Sequence, residues 1–143
     1  MAGKCKPSAE TKGYQMRIEH LAIWVADLEL MRSFYERYFE ATAGEKYHNA
    51  TKNFTSYFLT FKGGPRLELM QKPGLPSIPN GAQEYLGINH FAVSVGSREK
   101  VNALTEQFKT DGHSVVGEPR TTGDGYYESV VLDPEGNRIE ITI

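Results

Sequence analysis

Ile88-Asn89-His90-Phe91-Ala92-Val93-Ser94-Val95 rewrites Ile18-Glu19-His20-Leu21-Ala22-Ile23-Trp24-Val25, seventy positions further along the chain. The echo continues downstream, where Arg66-Leu67-Glu68-Leu69 returns as Arg138-Ile139-Glu140-Ile141, so each half carries one His and one Glu in matching places. In both copies an apolar set alternates with the set holding the histidine, the period of a strand with two chemically distinct faces. Leu21, Ile23 and Val25 form the packing face of the first copy, and Phe91, Val93 and Val95 that of the second. His20 and His90 therefore point the same way from their sheets.

Working outward, Asp27 is a good helix N-cap, and Leu28, Met31, Phe34, Tyr35, Tyr38 and Phe39 fall at helical spacing until Gly44 ends the run. A polar loop (45–52) leads to a β-rich stretch at 55–61, a Gly63-Gly64 turn and a strand at 66–70. Residues 71–86, rich in Pro and Gly, read as a linker. The second half repeats the order. Ser97 caps a helix with the stripe Val101, Leu104 and Phe108; a strand starts at 114–116; Gly123-Asp124-Gly125 turns into 126–132; and Pro134-Glu135-Gly136 turns into 138–143. The expected fold is α+β: two βαβββ modules, 16–70 and 87–143, making a curved mixed sheet around a trough. Residues 1–15 read as a disordered leader or tag. Each module is too small to cover both faces of its own sheet, so the halves pack together or two chains exchange them.

At 143 residues and 16.0 kDa the chain is one ordinary domain, able to bury a core without disulfides. A net charge of −2 with interspersed signs leaves no footprint for nucleic acid or anionic lipid. No apolar run is long enough for a membrane helix, and the chain reads as cytoplasmic. The single cysteine, Cys5, has no partner for an internal disulfide, and the two sequons starting at Asn49 and Asn53 are chance matches. The expected partners are a small-molecule substrate and a second copy of the chain in a homodimer.

Glu68 lies mid-strand between Leu67 and Leu69, and Glu140 between Ile139 and Ile141, places where a carboxylate is costly unless its charge is compensated. A divalent cation compensates both at once. Two imidazoles and two carboxylates suit Zn, Ni, Co, Fe or Mn, and an octahedral ion keeps positions open for substrate. The plainer alternative pairs each Glu with the Arg two residues before it, Arg66 or Arg138. His48 and His113 fall in loop-like contexts and read as solvated, and Tyr126 and Tyr127 as core or trough lining.

His-x-Ala-x-x-Val-x-Asp at His20 to Asp27, Arg66-Leu-Glu-Leu69, Asn89-His-Phe-Ala-Val-Ser-Val95 and the closing Asp133-Pro-Glu-Gly-Asn-Arg-Ile-Glu140 resemble the vicinal oxygen chelate superfamily over residues 16–143. That superfamily spans glyoxalase I, bleomycin-resistance proteins, extradiol dioxygenases and methylmalonyl-CoA epimerase. The ligand set His20, Glu68, His90 and Glu140 is most similar to that of glyoxalase I. By resemblance, the metal holds two vicinal oxygens while Glu68 or Glu140 moves a proton at the neighbouring carbon. An epimerase, a dioxygenase or a metal-free ligand-binding protein is the alternative on the same fold. Two departures bear on glutathione as cosubstrate: Trp24 stands where glutathione-using relatives commonly carry an Arg, and Lys72 where they carry an Asn. The substrate contacts expected here are an apolar wall from Trp24 and Met70 and an anion contact from Arg66 or Lys72, for a different acyl, thiol or α-oxo-acid substrate.

Overall fold

Alternation in the first repeat makes β1 (His20–Trp24), whose backbone pairs in parallel with β5 (Arg66–Gln71) in a computed structural model that describes residues 16–77 and 86–143. The expected leader and the centre of the expected linker lie outside the described residues. Between these strands run α1 (Leu28–Phe39), β2 (Thr42–Ala43), β3 (Tyr47–Asn49) and β4 (Phe54–Thr60), giving a sheet ordered β1-β5-β4-β2 with β3 also on β4. The second half repeats the plan: β6 (His90–Ser94), α2 (Arg98–Thr110), β7 (Val115–Thr121), β8 (Tyr127–Leu132) and β9 (Arg138–Thr142), ordered β6-β9-β8-β7 with β6 parallel to β9. This is the expected α+β architecture of two βαβββ units.

The α1 cap is as the sequence reads it, with Asp27 accepting a hydrogen bond from the Leu30 N–H at 2.9 Å. Its end is not. The helix stops at Phe39, where Glu40 takes a left-handed conformation (φ 52°), because the following residues are drawn into the sheet: β2 pairs with β4, and Gly44 donates to the Phe58 carbonyl at 2.9 Å. The same pairing converts part of the expected polar loop into β3, a three-residue strand too short to leave a period in the sequence. Ser97 caps α2 through the Lys100 N–H, and the helix closes at Asp111, as expected.

The two units join through their helix-bearing faces. Leu59, Leu67 and Leu69 pack with α1, and Val131, Ile139 and Ile141 with the α2 side, in one continuous buried cluster. Aromatic rings of α1 cross the boundary: Phe34, Tyr38 and Phe39 meet Phe108 of α2, and Tyr35 lies 6.3 Å from Phe91 of β6. His113, expected in solvent, is half-buried in this cluster, 5.3 Å from the Phe34 ring, with Nε2 3.1 Å from the Tyr38 hydroxyl. Two polar ties reinforce the boundary. Glu135 accepts from the Ala26 and Asp27 N–H groups at 2.7–2.9 Å, and the buried Tyr35 hydroxyl donates to Asp133 at 2.8 Å. Among the described residues no helix is long and apolar enough to cross a membrane.

Candidate metal centre

Register fixes what shares a face with each histidine. In the first sheet His20, Ala22 and Trp24 of β1 lie beside Arg66, Glu68 and Met70 of β5, and β4 adds Ser56 and Phe58. In the second, His90, Ala92 and Ser94 lie beside Arg138, Glu140 and Thr142, and β8 adds Glu128 and Val130. These faces are opposite the packing faces, because successive side chains of a strand alternate. His20 Nε2 stands 3.8 Å from a Glu68 oxygen, and His90 Nε2 stands 3.1 Å from a Glu140 oxygen.

The four expected ligands thus form two pairs, one on each sheet. Among the described residues no group of three or more His, Cys, Asp and Glu side chains is arranged so that it could hold a metal ion. Of the two arrangements the sequence leaves open, a trough within one chain is not closed, because the helix-bearing faces meet and turn both ligand faces outward.

Each histidine is held by an outer partner. His90 Nδ1 lies 2.8 Å from Asn89 Oδ1, an acceptor, and this contact turns the ring so that Nε2 faces Glu140 at 3.1 Å. His20 Nδ1 is held the same way by Glu19 at 2.6 Å. An outer partner on one ring nitrogen that orients the other is the usual support of a metal-binding histidine. An imidazole nitrogen and a carboxylate oxygen at this range are bridged by a proton or by a cation, and a nitrogen and oxygen donor pair of this kind fits a divalent ion.

Glu128 adds to the crowding. This strand residue is 8 % exposed; it lies between Tyr127 and Ser129 rather than between two aliphatic residues, so the sequence carries no signal for it of the kind that marks Glu68 and Glu140. Burial, and then the neighbouring Glu140, push its carboxyl above the ordinary value, opposed by the Arg120 guanidinium 3.6 Å away.

The expected substrate contacts divide. Trp24 and Met70 are side by side on the first ligand face. Arg66 is occupied: its guanidinium binds Glu19 at 2.6–2.8 Å and lies 4.1 Å from the Phe58 ring centre. It is neither the partner of Glu68 nor a free anion contact. Lys72 is exposed just past the end of β5. Tyr127 faces the packing side, with its hydroxyl on Asn102 and Arg98 over its ring, while Tyr126 is 61 % exposed.

Comparison with known proteins bears on the fold and the family. The chain is 24% identical over 127 residues to the uncharacterized protein YqjT of Bacillus subtilis (strain 168), covering 87% of this chain and 96% of that protein. The fold superposes on a glyoxylase/bleomycin resistance protein/dioxygenase domain from Frankia sp. EAN1pec with a TM-score of 0.76 at 14% identity, over 91% of this chain and 98% of that one. It superposes on the trypanothione-dependent glyoxalase I of Leishmania major with a TM-score of 0.71 at 23% identity, over 90% and 86% of the two chains. The sequence pattern of one family matches residues 17–141, almost the whole described chain. The protein belongs to the Glyoxalase/Bleomycin resistance protein/Dioxygenase superfamily.

Proposed function

We propose that the protein is a divalent-metal-dependent lyase or isomerase of the glyoxalase I type, acting as a homodimer in which His20 and Glu68 of one chain meet His90 and Glu140 of the other. The observation that carries this reading is the pair of equivalent His–Glu half-sites, each with an outer residue on Nδ1, on faces turned away from the chain's own core. A two-fold axis that brings the first face of one chain onto the second face of its partner makes two equal four-ligand sites. It also covers two faces that are open in the single chain.

A bound Zn, Ni, Co, Fe or Mn ion supplies Lewis-acid polarisation of two adjacent oxygens of the substrate. The chain's residues do the rest. Nδ1 contacts from Glu19 and Asn89 hold the imidazoles in place. A carboxylate oxygen of Glu68 or Glu140 takes the proton from the carbon beside the carbonyl and returns it to the next carbon. Only partial exposure of these carboxylates, 12% and 19%, keeps water from competing for that proton.

Metal analysis of protein purified without chelator tests the reading, with about one ion per chain expected and a large loss in His90→Ala. A content near zero that is unchanged by His90→Ala overturns it. Incorporation of solvent deuterium beside the carbonyl supports lyase or isomerase chemistry, whereas oxygen consumption supports the dioxygenase alternative.

A further inference from the structure

The two ligand faces have diverged in one direction. On the first, Trp24 neighbours Met70, Met70 neighbours Ser56, and β3 brings Tyr47 beside Ser56. The Phe54 ring meets Trp24 at 6.3 Å and Tyr47 at 6.0 Å, both edge to face. Trp24 is 49% exposed and Tyr47 53%, so the row is an aromatic wall open to solvent. Within it Ser56 is only 1% exposed, and its Oγ has no hydrogen-bond partner among the described residues. The corresponding register positions of the second face hold Ser94, Thr142 and Glu128, all polar. In the dimer proposed above each ligand set would thus be flanked by an apolar wall from the first module and a hydrogen-bonding wall from the second.

We propose that Trp24, Phe54, Met70 and Tyr47, with the Ser56 hydroxyl among them, form the pocket for an aromatic or extended apolar arm of the substrate. The substrate class is then a compound with two vicinal oxygens and such an arm, rather than a tripeptide-thiol conjugate. Three features favour this occupant. Met70, beside Trp24 in the wall, lies on the same strand face as Glu68, two residues away, or roughly 7 Å along the strand, about the reach of an aryl arm attached to a chelating head. Arg66, on this face, is taken up by Glu19 and Phe58 and offers no grip for a peptide carboxylate. The orphaned Ser56 hydroxyl supplies one hydrogen bond inside an otherwise apolar surface, the mixture typical of small-molecule pockets. The proposal rests on the metal reading for the placement of the two oxygens, but the wall belongs to the first module alone.

Trp24 is the only tryptophan, so intrinsic fluorescence reports on the wall directly. The experiment titrates the zinc-loaded and the metal-free protein with lactate and with 3-phenyllactate, which share the same vicinal oxygens and differ by the aryl arm. At least about tenfold tighter binding of 3-phenyllactate is expected, with a shift of Trp24 emission that lactate does not give. Phe54→Ala removes the preference. Tyr47→Ser, on an exposed edge where it cannot disturb the core, reduces the same preference when read by calorimetry. Equal affinities for the two acids, or a preference untouched by both variants, overturn the proposal. A preference that persists at full size without zinc supports the wall while removing the metal reading, so the two failures are distinguishable.

Discussion

Two variants that each destroy the site should restore it when mixed. His20→Ala removes the imidazole of the first half-site and His90→Ala that of the second, and each chain keeps its other His–Glu pair, because the pairs lie on different sheets and neither belongs to a group of three side chains able to hold a metal among the described residues. In a homodimer of either variant every site has three of its four ligands. Since even an outer-shell partner of a metal ligand is worth about 10- to 100-fold in affinity, a lost imidazole leaves these sites largely empty after dialysis against a weak chelator. Random subunit exchange then makes about half of the dimers mixed, and a mixed dimer holds one site with all four ligands and one lacking both imidazoles. About one quarter of the wild-type metal content should therefore return. The assay is elemental analysis of the dimer fraction after exchange in mild denaturant, with each variant alone carried through the same steps. A dimer fraction that regains no metal at any mixing ratio refutes the shared site, as does wild-type protein that is monomeric and fully loaded.

Three further outcomes follow from local chemistry. Tyr35→Phe takes one donor from the buried Asp133 carboxylate, a hydrogen bond to a charged group worth about 2 kcal/mol, and should lower Tm by roughly 6 °C in calorimetry; an unchanged Tm would show that the tie is dispensable. Ser56→Ala deletes a buried hydroxyl without a partner among the described residues and should raise stability by about 1 kcal/mol in denaturant titration; a loss would mean that the hydroxyl is satisfied in solution. Asp133 is raised above the ordinary value of 3.8, first by burial, against the lowering effect of its hydrogen bonds. Its folded form therefore holds the proton to higher pH than its unfolded form. The contribution of this group is largest below pH 3.8 and declines as pH rises through the folded value. The stability difference between wild type and Asp133→Asn should accordingly shift in favour of the variant across that window, and a difference that is flat or of opposite slope contradicts the assignment.

Much of the fold is legible in the chain because its signals are local. Alternation in the strands containing His20 and His90, the caps at Asp27 and Ser97, and the stripes Leu28 to Phe39 and Val101 to Phe108 each need only a few neighbouring residues. What the sequence does not disclose depends on distant partners. Glu40 ends α1 early because β2 is claimed by β4, and β3 exists only as an addition to that strand. His113 lies beside Gly112 in a turn-like stretch yet is enclosed by rings from α1, the nearer of them 75 positions earlier in the chain and beyond any local cue. The candidate ligands were readable because duplication printed them twice. Glu128 was not, since its twin in the first module is Ser56 and no echo marks it. The arrangement of the halves is likewise hidden, because alternation tells which residues share a face but not which faces meet.

Asp133-Pro134-Glu135-Gly136-Asn137, the most recognisable stretch of the chain, does its work away from the chemistry. Asp133 holds its own turn through the Glu135 and Asn137 amides, while Glu135 reaches back to the amides that open α1 in the other module. This has a consequence for recombination. A chimaera that joins the first module of this protein to the second module of a relative, with its crossover in the stretch between β5 and β6, keeps both halves of the ligand set but separates this carboxylate from the amides it was fitted to. Such hybrids will assemble well only when the donor turn places an acid at the position of Glu135 and the acceptor offers Ala26 and Asp27 in the same pose, so compatibility is decided by a latch far from the residues under selection for chemistry.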